Sequence, residues 1–265
     1  RFAATLNFSI EENTLDAAQR LASLITSVAV ERVTEELRYI VKLDESHKTM
    51  TSMLDAGILS HTFPEISSEF GLPRLTERGR GVRGLELYRN IEGVLSNLPR
   101  YFLDHSKSIL KYFEDDYRRI CLKLSTLFPD AESAKNTAIR LKMSKKEVKF
   151  IYDMALNRDK ILNFYKETEG SPDGIKIVRL LKEFHDDVYA LTILALAQET
   201  SIIYFCKKLI TFYNDVFKPR AALIPLITGN DLIKEFNLQP SPLFRKILTT
   251  VEDLVLEGRI TSKEE

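Results

Sequence analysis

Apolar residues return every three or four positions along almost the whole chain, and no stretch alternates in the Val-, Ile- and Thr-rich manner of a half-buried strand. That period lines one stripe of a helix and scatters apolar groups over both faces of a sheet. The spacing therefore predicts an all-α protein. Within an N-terminal block it marks Leu15–Ile25, Val28–Leu43 and Met50–Gly57, closed by Pro64. Further helices are expected near 85–97, 99–112, 115–127, 131–140, 144–157, 158–167, 173–183, 186–199 and 200–216.

Capping chemistry sharpens several of these ends. Ser144-Lys145-Lys146-Glu147 has the form of a capping box, opening a helix that would bury Val148, Ile151, Tyr152 and Leu156. Gly229-Asn230 turns the chain, Asn230 is expected to cap a helix carrying Leu232, Ile233 and Phe236, and Asn237 suits the left-handed residue that ends it. Ser241-Pro242 reads as a cap and first helical position, with Phe244, Ile247, Leu248, Val251, Leu254 and Val255 behind it and Gly258 as the stop. Thr261-Ser262-Lys263-Glu264 is a further capping box with one residue left to follow, and Arg1–Leu6 reads as the last turn of a helix ended at Asn7. The chain is thus expected to be part of a longer polypeptide. Breaks in the pattern suggest a helical domain over 1–70, a Gly- and Arg-rich connector over 71–84, a helical body over 85–217 and a tail domain over 218–265.

Charge constrains partners. Lys plus Arg and Asp plus Glu each number 38, so any contact with nucleic acid must come from local patches. The basic groups are Arg74, Arg78, Arg80 and Arg83; Lys142, Lys145, Lys146 and Lys149; Lys207 and Lys208; Lys218 and Arg220; Arg245 and Lys246. Two sets stand at predicted helix starts, where amide N–H groups favour phosphate: Lys142, Lys145, Lys146 and Lys149 near Ser144, and Arg245 and Lys246 after Ser241-Pro242. These six are the candidate RNA-binding residues. Cys121 and Cys206 lie far apart in apolar helical contexts, as buried thiols of a reducing, cytoplasmic setting do. The longest apolar run, Ala190–Ala197, is too short to cross a membrane.

Catalytic constellations are sparse. No Asp-x-Asp occurs, and the adjacent pairs Asp115-Asp116 and Asp186-Asp187 would diverge by about 100° on a helix. His185-Asp186 invites a metal-dependent phosphohydrolase reading, but the chain has only four histidines and such sites need several separated ligands. No catalytic residue and no metal ligand is assigned.

Several segments, in order, resemble the bacterial tRNA nucleotidyltransferase and poly(A) polymerase family. Arg1–Ile10 looks like the junction after its nucleotide-recognition motif, with Asn7 where the family has Gly. Val30–Leu37 and Leu54–Leu59 through Phe63-Pro64-Glu65 are similar to its neck, Leu141–Val148 to a body-helix opening, and Leu226–Ile233, Asn237–Pro242 and Leu256–Glu265 to its tail. The resemblance implies an elongated multi-helix array of neck, body and tail domains that positions a tRNA for a catalytic head absent from this chain. Mg2+ and ATP or CTP are then expected only with that head, which adds C, A or both to the tRNA 3′ end. Glu31 and Arg32 fall in the neck-like motif as candidates for an interdomain role. Two other classes remain open: a helical protein-interaction scaffold and the His-Asp phosphohydrolase.

Overall fold

The computed structural model describes residues 1–6, 8–66 and 80–264, and every regular element among them is helical. The N-terminal part carries α1 (Phe2–Leu6), α2 (Glu12–Leu21), α3 (Val30–Val41), α4 (Ser46–Asp55) and α5 (Ile58–Thr62). There follow α6 (Arg80–Ser96), α7 (Leu98–Tyr101), α8 (Ser106–Tyr112), α9 (Asp116–Ser125), α10 (Ala131–Arg140), α11 (Lys145–Leu156) and α12 (Lys160–Glu167). The remainder comprises α13 (Gly174–Phe184), α14 (Val188–Gln198), α15 (Ile203–Phe212), α16 (Lys218–Ala221), α17 (Gly229–Lys234) and α18 (Pro242–Glu257). A π-helical turn over Tyr213–Phe217 joins α15 to α16.

Four expected element boundaries or caps change, and Leu156, expected on the buried face of its helix, is 59% exposed. Helix α6 begins at Arg80, inside the expected connector, whose residues 71–79 lie outside the described residues. Gly84 belongs to this helix because the backbone of Thr126 and Leu127 approaches it closely: a Cβ there would stand 2.7 Å from the Thr126 carbonyl oxygen. The single helix expected over 99–112 is two, since Phe102 leaves helical geometry (φ −132°, ψ 60°) and buries its ring. Thr228, not Asn230, caps α17; its hydroxyl accepts from the Asp231 N–H while the Asp231 carboxylate accepts from the Thr228 N–H, a complete capping box. The Thr261–Glu264 box opens no helix among the described residues, and Lys263 instead reaches back to Asp231 at 2.9 Å.

The chain divides into two compact units, residues 1–162 with 190–200, and residues 163–189 with 201–265. In the first, the apolar run of α14 is a core element: Ala190 to Ala197 are each 3% exposed or less, as a helix apolar on every side must be. Asn90 of α6 donates to the Ala197 carbonyl at 3.0 Å, which satisfies a C-terminal acceptor of that helix. Among the described residues no helix is long and apolar enough to cross a membrane. Cys121 is buried and free, and burial pushes its thiol well up; in the second unit burial pushes the Cys206 thiol up to about 12. Neither is poised as a thiolate.

The same first unit buries an ion pair. Lys123 of α9 and Glu92 of α6 are 1% and 3% exposed, with Nζ 2.8 Å from Oε1. Nζ also donates to the carbonyls of Val41 and Leu43 at 2.9 and 2.7 Å. Glu92 accepts from the Ser46 and His47 amides at 2.9 and 3.1 Å, from the Ser46 hydroxyl at 2.6 Å, and contacts His47 Nδ1 at 2.6 Å. Since Glu45 offers no side-chain cap, the carboxylate of a distant helix is what closes the N-terminus of α4.

In the second unit, aromatic rings supply much of the packing. Phe205 meets Tyr165 and Phe164 at 5.3 and 6.0 Å between centroids, and Tyr213 meets Tyr189 and Phe217 at 5.3 and 5.7 Å. Lys182 of α13 pairs with Asp253 of α18 at 2.5 Å. Asn237 (φ 52°) and Gly258 (φ 75°) hold the left-handed conformations expected of them.

Candidate nucleic-acid interface

The four lysines around the start of α11 are exposed, yet the helix end they flank is already occupied. Ser144 and Glu147 form the capping box, with the Glu147 carboxylate accepting from the Ser144 N–H at 2.7 Å and from its hydroxyl at 2.6 Å. Arg38 of α3 grips the same carboxylate through both terminal nitrogens, at 2.6 and 2.9 Å. A buried anion of the chain's own thus sits where a phosphate would dock on the amides. Lys142, Lys145 and Lys146 remain exposed as point charges. Lys145 has no acidic partner among the described residues. Lys146 lies 4.0 Å from the Tyr117 ring centroid, and Lys149 pairs with Asp153 one turn on at 2.5 Å. Lys142 occupies a left-handed position (φ 54°) just after α10, beside Leu141, whose carbonyl accepts from Thr34 of α3 at 2.7 Å.

The grip on Glu147 has a pH signature. Burial alone would raise its carboxyl, but the hydrogen bonds from Arg38 and Ser144 outweigh it and hold the group below the ordinary value of 4.5. A depressed carboxyl stabilises the fold above its unfolded pKa and ceases to do so as pH falls through the folded one. The urea midpoint of the wild-type chain should therefore hold above about pH 5 and fall below about 4.5. Glu147→Gln should start lower and fall less steeply; parallel profiles for the two proteins would rule this contribution out.

Helix α18 begins differently. Ser241 is extended (φ −157°, ψ 166°) and its side chain makes no capping bond, Pro242 is the first helical residue, and the first turn holds no acidic residue. Arg245 and Lys246 are exposed there, and neither has an acidic partner among the described residues. This helix start is open to an anion where that of α11 is closed.

Two further basic residues are held by partners elsewhere in the chain. Lys218 pairs with Asp186 at 3.0 Å and lies over the rings of Tyr213 and Tyr189; burial opposes its charge, but hydrogen bonds to Asp186 and Tyr189 leave its pKa raised. Arg220 donates to the Leu256 carbonyl at 2.9 Å and packs its guanidinium where a side chain on Gly258 would stand. Arg74 and Arg78 lie outside the described residues. Lys207 and Lys208 are exposed on α15, and beside them stands Tyr204, 77% exposed. Tyr204 was not singled out by charge, though its spacing of three and four residues from the lysines is visible in the sequence.

Glu31 and Arg32 are exposed in the first turn of α3, while Glu36 and Arg38 further along make the ion pairs of that helix, with Arg1 and Glu147. Arg32 borders an apolar groove of about 550 Å³ whose walls include Leu15, Ile25, Val33, Leu37 and Met53. His185 has a left-handed φ of 47°, and Asp186 beside it accepts from the Tyr213 hydroxyl at 2.8 Å. Among the described residues no three His, Cys, Asp or Glu side chains converge on a point where a metal ion could bind.

Over its full length the chain aligns with the CC-adding tRNA nucleotidyltransferase of Synechocystis sp., 26% identical over 269 residues. Over its whole length the chain is thus similar to tRNA nucleotidyltransferases. It is likewise matched from end to end by the CCA-adding enzymes of Streptococcus suis (23% over 272 residues) and Streptococcus agalactiae (24% over 276 residues). It spans 60%, 55% and 56% of the lengths of these three relatives. Residues 7–70 also match a family model described as "Probable RNA and SrmB- binding site of polymerase A", a segment that contains α2 to α5, Glu31 and Arg32.

Proposed function

We propose that this chain is the tRNA-holding part of a nucleotidyltransferase that adds C, A or both to the tRNA 3′ end. The observation that carries this is the end-to-end match to CC-adding and CCA-adding enzymes. Exposed cations without acidic partners among the described residues, Lys145, Arg245, Lys246, Lys207 and Lys208, supply the electrostatics that backbone binding needs. Their role is positional: gripping the body of an RNA by its phosphates fixes where its 3′ end lies and converts an encounter into an oriented reaction. In this scheme residues 1–70 act as neck, 85–217 as body and 218–265 as tail. A nucleotidyltransferase head, with its Mg2+ and ATP or CTP, performs the transfer, in the cytoplasm.

The test is a tRNA titration with the chain. At about 50 mM salt binding should be readily measured, and simultaneous Lys145→Glu, Lys146→Glu, Arg245→Glu and Lys246→Glu should weaken it about a hundredfold and flatten its salt dependence by about three units of slope. No binding at low salt, or no response to the four reversals, would remove the proposal. The apolar groove beside Arg32 favours a second reading, a protein-docking module. Binding to tRNA that is insensitive to the reversals while a groove change such as Met53→Glu abolishes partner capture would support that instead.

A further inference from the structure

We propose that Tyr204, Lys207 and Lys208 form a subsite for an unpaired nucleotide of the bound RNA, with the tyrosine ring stacking on the base and the lysines holding adjacent phosphates. It rests on the tRNA-holding function above and names a contact within it.

Helix α15 divides its faces cleanly. Phe205, Cys206, Leu209 and Ile210 are buried, at 5% exposed or less, while Tyr204, Lys207, Lys208 and Thr211 all face solvent. Those four positions follow the i, i+3, i+4, i+7 rule, so they form one continuous stripe. Tyr88, Tyr112, Tyr189 and Tyr213 are all buried, whereas the ring of Tyr204 is left 77% in water. Lys207 Nζ lies 5.9 Å from its centroid, which keeps the ammonium at the ring. Neither Lys207 nor Lys208 has an acidic partner among the described residues, whereas Lys182, Lys218 and Lys263 of the same unit each pair with an aspartate.

Beside the stripe is a preformed hollow of about 200 Å³, bordered by Lys208, Phe205, Ile177 and the loop Gly170-Ser171-Pro172. That loop wall is fixed. Glu169 and Gly170 both take left-handed conformations (φ 48° and 71°), and any Cβ on Gly170 would stand 2.7 Å from the Tyr165 ring. An exposed ring, two unneutralised ammonium groups and a concave wall match the chemistry of a single-stranded RNA site, in which aromatic faces receive bases and cations track the backbone. A duplex hides its base faces within the stack, so the partner must present an unpaired base.

The experiment uses the full chain and two fluorescein-labelled RNAs read by anisotropy: a hairpin with an unpaired loop, and a blunt duplex of equal length. Tyr204→Ala should weaken hairpin binding about tenfold and duplex binding less than about twofold, while Tyr204→Phe keeps wild-type affinity because the stacking face is retained. The Lys207→Ala, Lys208→Ala double variant should lower the salt slope for the hairpin by about one to two. Equal behaviour of the Ala and Phe variants, or equal loss on hairpin and duplex, overturns the subsite while leaving RNA binding in place. If the wild-type chain binds neither RNA, the tRNA-holding function fails together with it.

Discussion

Lys123→Met should be among the most damaging single changes in the first unit, lowering its stability by about 3–5 kcal/mol in urea titrations followed by helical circular dichroism. The expectation follows from what is left behind. Glu92 is 3% exposed, and without the ammonium it loses its buried cation and keeps only the partly exposed His47 imidazole at 2.6 Å beside its charge. Burial already presses on the lysine itself, holding its pKa below the ordinary 10.5 despite the attraction of Glu92. The pair is a liability that only completeness makes tolerable. Replacing both members, with Lys123→Met and Glu92→Leu, should recover only part of the loss, because the leucine cannot accept from the Ser46 and His47 amides. A Lys123→Met protein within about 1 kcal/mol of wild type would show that solvent reaches the site and that the network is not the buried anchor it is taken to be.

Gly84→Val should cost a comparable amount, about 3 kcal/mol, with Gly84→Ala losing about 2 kcal/mol. Ordinarily alanine improves a helix interior by about 1 kcal/mol over glycine, so the sign is the informative part. The atoms a new Cβ would meet, Thr126 O at 2.7 Å and Leu127 Cα at 3.2 Å, are backbone and cannot rotate away. To accept a methyl group, α6 would have to move off the end of α9, along with the Glu92 and Tyr88 side chains it contributes to the core. Thermal unfolding of the two variants decides it. A Gly84→Ala protein more stable than wild type would mean that the two backbones are free to separate.

Local chemistry was legible in the sequence and distant chemistry was not. Ser144 with Glu147, Asn237, Pro242 and Gly258 announce their own geometry, since each cap is decided by residues within one turn. Thr228-Gly229-Asn230-Asp231 carried the same box pattern, but Asn230 is itself a good capping residue and took the assignment; in the fold the threonine has the N-cap position and the aspartate, held down at about 2 by Thr228 and Lys263, completes the box. The start of α6 was hidden because its glycines resemble a linker until the backbone of Thr126 is brought against Gly84.

For the interface, charge spacing picks out basic residues without saying which of them other groups of the chain already hold. Lys218 and Arg220 look like a basic pair in the sequence, but Asp186 and the Leu256 carbonyl claim them from 32 and 36 residues away. The lysines of α11 flank a helix start that Glu147 and Arg38 have already filled, a pairing across 109 positions. Tyr204 escaped notice for the opposite reason: an aromatic at helical spacing is ordinarily core, and only its exposure marks it out.

The carboxylate that closes α4 also says something about the order in which this chain can acquire structure. Glu45 at the N-cap makes no side-chain capping bond, and the first turn of a helix is the expensive one to form. Here its amides wait for Glu92, which arrives from a segment 45 residues later in the chain and is itself steadied by Lys123 from further still. A nascent N-terminal module holding α4 alone would lack the acceptor for its own first turn. The segment over residues 7–70 that matches the polymerase RNA-binding model is thus completed by residues outside it, so its boundaries in sequence are narrower than its boundaries in energy.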